Sequence, residues 1–164
     1  MDPGLDALGK SQAHEVAARL QPLGPLAILS SPLSRARETA APLAQNWSRQ
    51  PLIEPAVAEI PSPTDNLEDR IAWLRQFMAG SWRSATPSLA AWRENAIGVL
   101  ASRAEDTVVF SHYVAINVAV GAAAGDDRVV VFSPDNCSVT VFDVKGGRLS
   151  LVEKGHEAPL TRVN

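Results

Sequence analysis

Thr107-Val108-Val109-Phe110-Ser111 is an unbroken β-branched and aromatic run, and an uncharged helical stretch from Val114 to Ala124 follows it almost without a spacer. A strand with no polar alternation has to be covered on both faces. Such a strand, feeding straight into an apolar helix, is housed by a layered α/β fold and by few other architectures.

The rest of the chain repeats that logic. From Leu8 to Leu20 apolar residues recur near helical spacing, with Lys10, His14, Glu15 and Arg19 interleaved, which predicts an amphipathic helix ended by Pro22 and Gly24-Pro25. Leu26-Ala27-Ile28-Leu29 is a second short apolar strand, and Ser30-Ser31-Pro32 stops it and opens a helix running to about Gln45. Pro51 to Glu54 predicts a short strand, and Ile60-Pro61-Ser62-Pro63 forces an irregular loop because proline fixes φ and withholds a donor. Asp65-Asn66 offers a cap for helical patterning over Leu67 to Met78, which resumes from Ser88 to Ala104. Trp73, Phe77, Trp82 and Trp92 are expected to pack these two helices together. Beyond the stretch Val129 to Phe132 and the turn Ser133 to Asn136, strands over Ser138 to Val144 and Arg148 to Val152 flank Gly146-Gly147, an antiparallel hairpin. Strands alternating with helices and then a hairpin edge imply a mixed sheet.

A chain of 164 residues with 46% hydrophobic content suits one compact domain. Its 15 basic and 18 acidic side chains are scattered, giving a net charge of −3 that points neither to nucleic acid nor to an anionic membrane. Cys137 is the single cysteine, and no Cys/His cluster has zinc-ligand spacing, so no disulfide, metal or cofactor is expected. The residues from Met1 to Asp6 have neither the basic nor the apolar region of a secretory signal, and the uncharged stretch Tyr113 to Gly125 falls short of the ~20 residues of a membrane helix. A cytoplasmic location is the resulting expectation.

In parallel sheets ligands gather outside the carboxyl ends of the strands, where helix N-termini favour anions. Arg35 falls in the first turn of the helix after the first apolar strand, where a cation is disfavoured by the helix dipole unless it faces an anion. Its planar guanidinium suits a phosphate, although a surface arginine is the plainer account. His112 follows the buried strand directly; it could serve a site, cap the helix or satisfy a core carbonyl. His14 and His156 read as structural or exposed.

Taken together, these segments resemble the histidine phosphatase family, with the phosphoglycerate mutase-like fold. SSPLSRARETA is similar to the family's Ser-x-Leu-x-Arg-Ala motif, VVFSH to the strand that delivers its second histidine, and DNCSVTVFDV to the Asn-x-Ser strand after it. The opening DPGLDALGKSQA resembles the segment that lies a short loop beyond the catalytic motif. The resemblance implies a three-layer α/β/α sandwich with a mixed, mostly parallel sheet, formed by one domain over residues 1–164 and lacking its first strand at the amino end. It implies that Arg35 and His112 hold phosphoryl oxygens, and that Glu59 is the general acid, where an exposed loop acid is the alternative.

Three departures stand out. No Arg-His-Gly, the motif carrying the family's nucleophilic histidine, occurs in the chain; Tyr113 and Asn117 replace a glycine and an arginine and are expected to narrow the pocket or alter the substrate; and a proline-rich loop follows Glu59. The expected function is therefore that of a phosphomonoester phosphatase working through a phosphohistidine, inactive in these 164 residues for want of the nucleophile. The alternative is a non-catalytic protein that keeps the Arg35/His112 cradle. The partner is a small phosphorylated substrate or inorganic phosphate. A missing inner strand would leave sheet edges unpaired, and a homodimer, an altered strand order or lability is the expected outlet.

Overall fold

The computed structural model describes residues 2–159. Helix α1 (Ala7–Leu20) begins where Asp6 accepts the Gly9 N–H at 2.7 Å, and it buries Ala13, Val16, Ala17 and Leu20 on one stripe. Strand β1 (Ala27–Ser30) leads into helix α2 (Ser34–Trp47), and strand β2 is only Leu52–Ile53. Helix α3 (Leu67–Met78) starts at Asn66, whose side chain accepts from the Asp69 N–H, as the sequence predicts. Helix α4 (Pro87–Ala101) is capped by Thr86 and ends earlier than the pattern suggested. Strand β3 (Thr107–Phe110) is followed by helix α5 (Tyr113–Ala124), which stops at Gly125 with φ +66°, a backbone angle that favours glycine. Strands β4 (Val141–Lys145) and β5 (Arg148–Glu153) close over Gly146 and Gly147, both at positive φ, in the expected antiparallel hairpin.

The parallel sheet runs β2-β1-β3, with Ala27 to Ser30 in register against Thr107 to Phe110. Alternate residues of these strands point to opposite faces, so Ile28, Val108 and Phe110 pack against Val16, Ala17, Ala40 and Leu43 of α1 and α2. A second core joins α3, α4 and α5 through Phe77, Leu89, Val114 and Val118. The aromatic residues do hold that layer together: Trp73 stacks on Phe77 at 5.5 Å, Phe77 meets Trp82 edge-on at 5.4 Å, and Trp82 stacks on Trp92 at 6.1 Å. A parallel sheet packed by α1 and α2, with α3, α4 and α5 forming a further helical layer, makes the expected layered α/β fold. No helix of the described residues is long and apolar enough to cross a membrane.

Two expectations need correction. Strand β4 begins at Val141 instead of Ser138, because the backbone ahead of it is spent on turns, including Cys137 at φ +56°. The hairpin also does not extend the parallel sheet: among the described residues β3 pairs with β1 alone and β4 with β5 alone. Strand β1 is thus the one strand paired along both edges. Hydrogen exchange should find the β1 amides the slowest of the sheet and those of β3 markedly faster; equal protection of the two in a monomer would contradict this edge assignment.

Candidate active site

Because β1 and β3 are parallel and in register, their carboxyl ends lie side by side, and the chain after each is locked to the other by the Ser31 N–H bond to the Phe110 carbonyl at 3.0 Å. Helices α2 and α5 start from these two ends. Arg35 therefore rides on the first turn of α2 and His112 on the last residue before α5, as the sequence placed them. Arg35 is partly exposed, and none of the ion pairs among the described residues includes it. Its charge reaches His112 and, as a lesser influence, Glu59 and Asp2, so these three groups lie within its electrostatic field.

His112 is 6% exposed, and its Nε2 lies 2.7 Å from the Ser31 hydroxyl. Burial first, then the Arg35 charge, bring its pKa down to about 4, against a weaker upward pull from Asp2. The ring is thus neutral at pH 7.

Glu59 is not an exposed loop acid. Its Oε1 accepts from the Ile60 N–H at 3.0 Å and from the Val114 N–H at 3.2 Å, so it caps α5, whose own N-cap residue makes no side-chain bond. Burial raises its pKa, outweighing these hydrogen bonds and Arg35, which act the other way. A carboxyl whose pKa is raised by burial holds its proton to higher pH than a free one, which suits a proton donor.

Asp2 was not foreseen from the sequence. Its carboxylate accepts from the Ser34 N–H at 2.9 Å and from the Ser34 hydroxyl at 2.8 Å, capping α2 from a distant part of the chain, and these bonds lower its pKa. Nothing in local patterning could have signalled a cap that crosses 32 residues. Ser31, wholly buried, was likewise passed over as part of a loop.

Asn117 is a correction. It is wholly buried and does not narrow a pocket: its Oδ1 accepts from the Val131 and Phe132 N–H groups at 2.7 and 3.1 Å, and its Nδ2 donates to the Tyr113 carbonyl at 3.0 Å. Tyr113 directs its hydroxyl to Ser133 at 3.1 Å. Both residues tie α5 to the segment beyond it. His156 is exposed and faces Asp135 at 3.4 Å, and His14 is exposed on α1, so neither belongs to the site.

Comparison with known proteins places this fold. The family profile of the histidine phosphatase superfamily, branch 1, matches residues 1–156. A phosphoserine phosphatase from Entamoeba histolytica, solved with 3-phosphoglyceric acid, superposes with a TM-score of 0.75 at 21% identity, covering 97% of this chain and 87% of that one. YhfR of Bacillus stearothermophilus gives 0.76 at 19%, covering 96% and 87%. A mycobacterial glucosyl-3-phosphoglycerate phosphatase solved with inorganic phosphate gives 0.70 at 19%, covering 96% and 89%. At these identities the likeness is one of fold. A PE-PGRS family protein of Mycobacterium tuberculosis, PE_PGRS11, is 46% identical over 59 residues, which is 35% of this chain; the match spans about a tenth of that relative's length.

Two measurements check the geometry. Between pH 6.5 and about 4 the unfolded chain protonates His112 while the folded chain does not, so stability from this group is whole above pH 6.5 and lost as pH falls toward 4. Glu59, with its raised pKa, slopes the other way, losing stability as pH rises from 4.5. Urea denaturation of His112→Gln against the parent should therefore show a difference that shrinks or inverts on acidification; a pH-independent difference would contradict a neutral buried ring. Asn117→Ala strands two N–H groups and should lower stability by about 2–4 kcal/mol, read from the same denaturation midpoints.

Proposed function

We propose that this chain, which belongs to the histidine phosphatase superfamily, branch 1, binds the phosphoryl group of a small phosphomonoester, or inorganic phosphate, between Arg35 and His112. The observation that carries the reading is the guanidinium of Arg35, in no ion pair among the described residues, acting on a neutral imidazole at the adjoining ends of β1 and β3. Arg35 supplies charge and planar donors for phosphoryl oxygens, and His112 adds a further donor. To Glu59 we assign the protonation of a leaving oxygen, a role supported by its hold at the start of α5 and its raised pKa.

Turnover needs more than this cradle. The family's route passes through a phosphohistidine, and the three histidines here are His14 and His156, both exposed and outside the site, and His112, buried against Ser31. The 164 residues alone therefore offer a phosphate-binding half-site without an in-line nucleophile. Asp2 caps α2 next to Arg35, so a strand joined ahead of it would deliver its last residues to this same place.

Isothermal titration with inorganic phosphate should detect binding that Arg35→Ala weakens about tenfold or more, while p-nitrophenyl phosphate turnover stays at background. A chain extended ahead of Asp2 by a strand ending in Arg-His-Gly should gain turnover, and Glu59→Gln in it should slow esters with poor leaving groups most. Phosphate binding insensitive to Arg35→Ala would overturn the site. Acid-labile phosphate labelling of the present chain, lost in His112→Ala, would overturn the account of the nucleophile.

A further inference from the structure

The Ser31 hydroxyl has one hydrogen to give, and its surroundings decide where it goes. Ser31 is wholly buried on the segment that leaves β1, and its Oγ accepts the Leu33 N–H at 3.2 Å. The remaining contact of that oxygen is His112 Nε2 at 2.7 Å, a short hydrogen bond between two buried side chains. No other acceptor for the hydroxyl proton appears among the described residues. If Nε2 carried a proton and donated it, the Ser31 hydrogen would be left buried without a partner, at a cost that the opposite arrangement avoids. Ser31 O–H therefore donates and Nε2 accepts.

The other ring nitrogen follows. Nδ1 has no hydrogen-bond partner among the described residues and is not sealed from solvent, so it is free to donate outward. We propose that Ser31 is a positioning residue that fixes His112 in its Nδ1–H tautomer, so that the ring meets an anion as a neutral, single donor. Ser31 itself is held by its backbone N–H on the Phe110 carbonyl, which makes the tautomer a consequence of the β1–β3 register. Burial and then the Arg35 charge keep the ring unprotonated, so the ring that Ser31 meets has one nitrogen free to accept. In one respect the inference rests on the proposed function, namely that the donor on Nδ1 is used on a phosphoryl oxygen.

The test reads the ring directly. In a ¹⁵N-histidine NMR spectrum of the full chain at pH 7 without phosphate, His112 should show an unprotonated Nε2 and a protonated Nδ1. An Nε2–H tautomer or a doubly protonated ring would overturn the proposal, whether or not any variant folds. Ser31→Ala should abolish the tautomer preference and raise the His112 titration midpoint by about half to one pH unit, and Ser31→Thr, which keeps a hydroxyl, should restore the parent tautomer. A folded Ser31→Ala protein with an unchanged tautomer and midpoint would also overturn it. Adding inorganic phosphate then separates the two readings: a tautomer as stated with no phosphate-induced shift at Nδ1 sinks the phosphate site and leaves the role of Ser31 standing.

Discussion

The parallel register of β1 on β3 is the constraint from which the site follows. Ala27 opposite Thr107 and Ser30 opposite Phe110 bring two strand ends together, and one further backbone bond, Ser31 N–H to Phe110 C=O, carries the pairing just past the sheet. A slip by one residue would turn Ile28 and Phe110 away from α1 and α2 and move Ser31 off His112 at the same time. Core packing and site geometry are thus enforced by the same choice. The core that fixes the register therefore also holds the site in place.

Both helices that frame the site begin without a side-chain cap of their own. Each is capped instead by a carboxylate from elsewhere, α2 by Asp2 and α5 by Glu59. The two acids differ in environment: Asp2 is exposed, with its pKa pulled down by Ser34, whereas Glu59 is buried and pulled up. Arg35 sits within the field of both. Arginine in a first turn opposes the helix dipole, and the nearby acids offset that opposition without closing an ion pair onto the guanidinium. A cation kept in this state retains donors for an incoming anion.

What could be read from the sequence divides along physical lines. Segments whose residues answer to a local rule were legible: the period-3.6 stripe of α1, the Asn66 cap of α3, the apolar run of β3, the paired glycines of the hairpin, and the placing of Arg35 and His112 at strand ends. What failed was decided by tertiary partners. Asn117 looked like a pocket residue because only its sequence position was known; its two acceptor bonds to Val131 and Phe132 exist only once the chain has turned back past Gly125. The caps by Asp2 and Glu59 and the Ser31–His112 bond span long sequence separations, and no periodicity encodes them. The 129–132 stretch is β-branched and aromatic, yet forms no strand; its N–H groups at Val131 and Phe132 are taken by a side chain, which leaves them unavailable to a ladder.

That diversion also explains how the hairpin is held without joining the parallel sheet. Asn117 pins 131–132 to α5, Tyr113 reaches Ser133, and the last described segment pairs back on the turn through Asp135 N–H to His156 C=O at 3.0 Å and Ala158 N–H to Ser133 C=O at 2.9 Å. Glu157 adds a bond to the Ser133 N–H at 2.9 Å. These are individual clamps from side chains and single bridges, each worth about 1 kcal/mol net, in place of a ladder to the parallel sheet. None of them involves Ser31, Arg35, Glu59 or the ring of His112. The segment is also held by apolar contact, with β5 packed along α5 and Cys137 and Val139 resting on the core of α1, α2 and β1, so these bonds orient a hairpin that packing already holds and lend no polar group to the site.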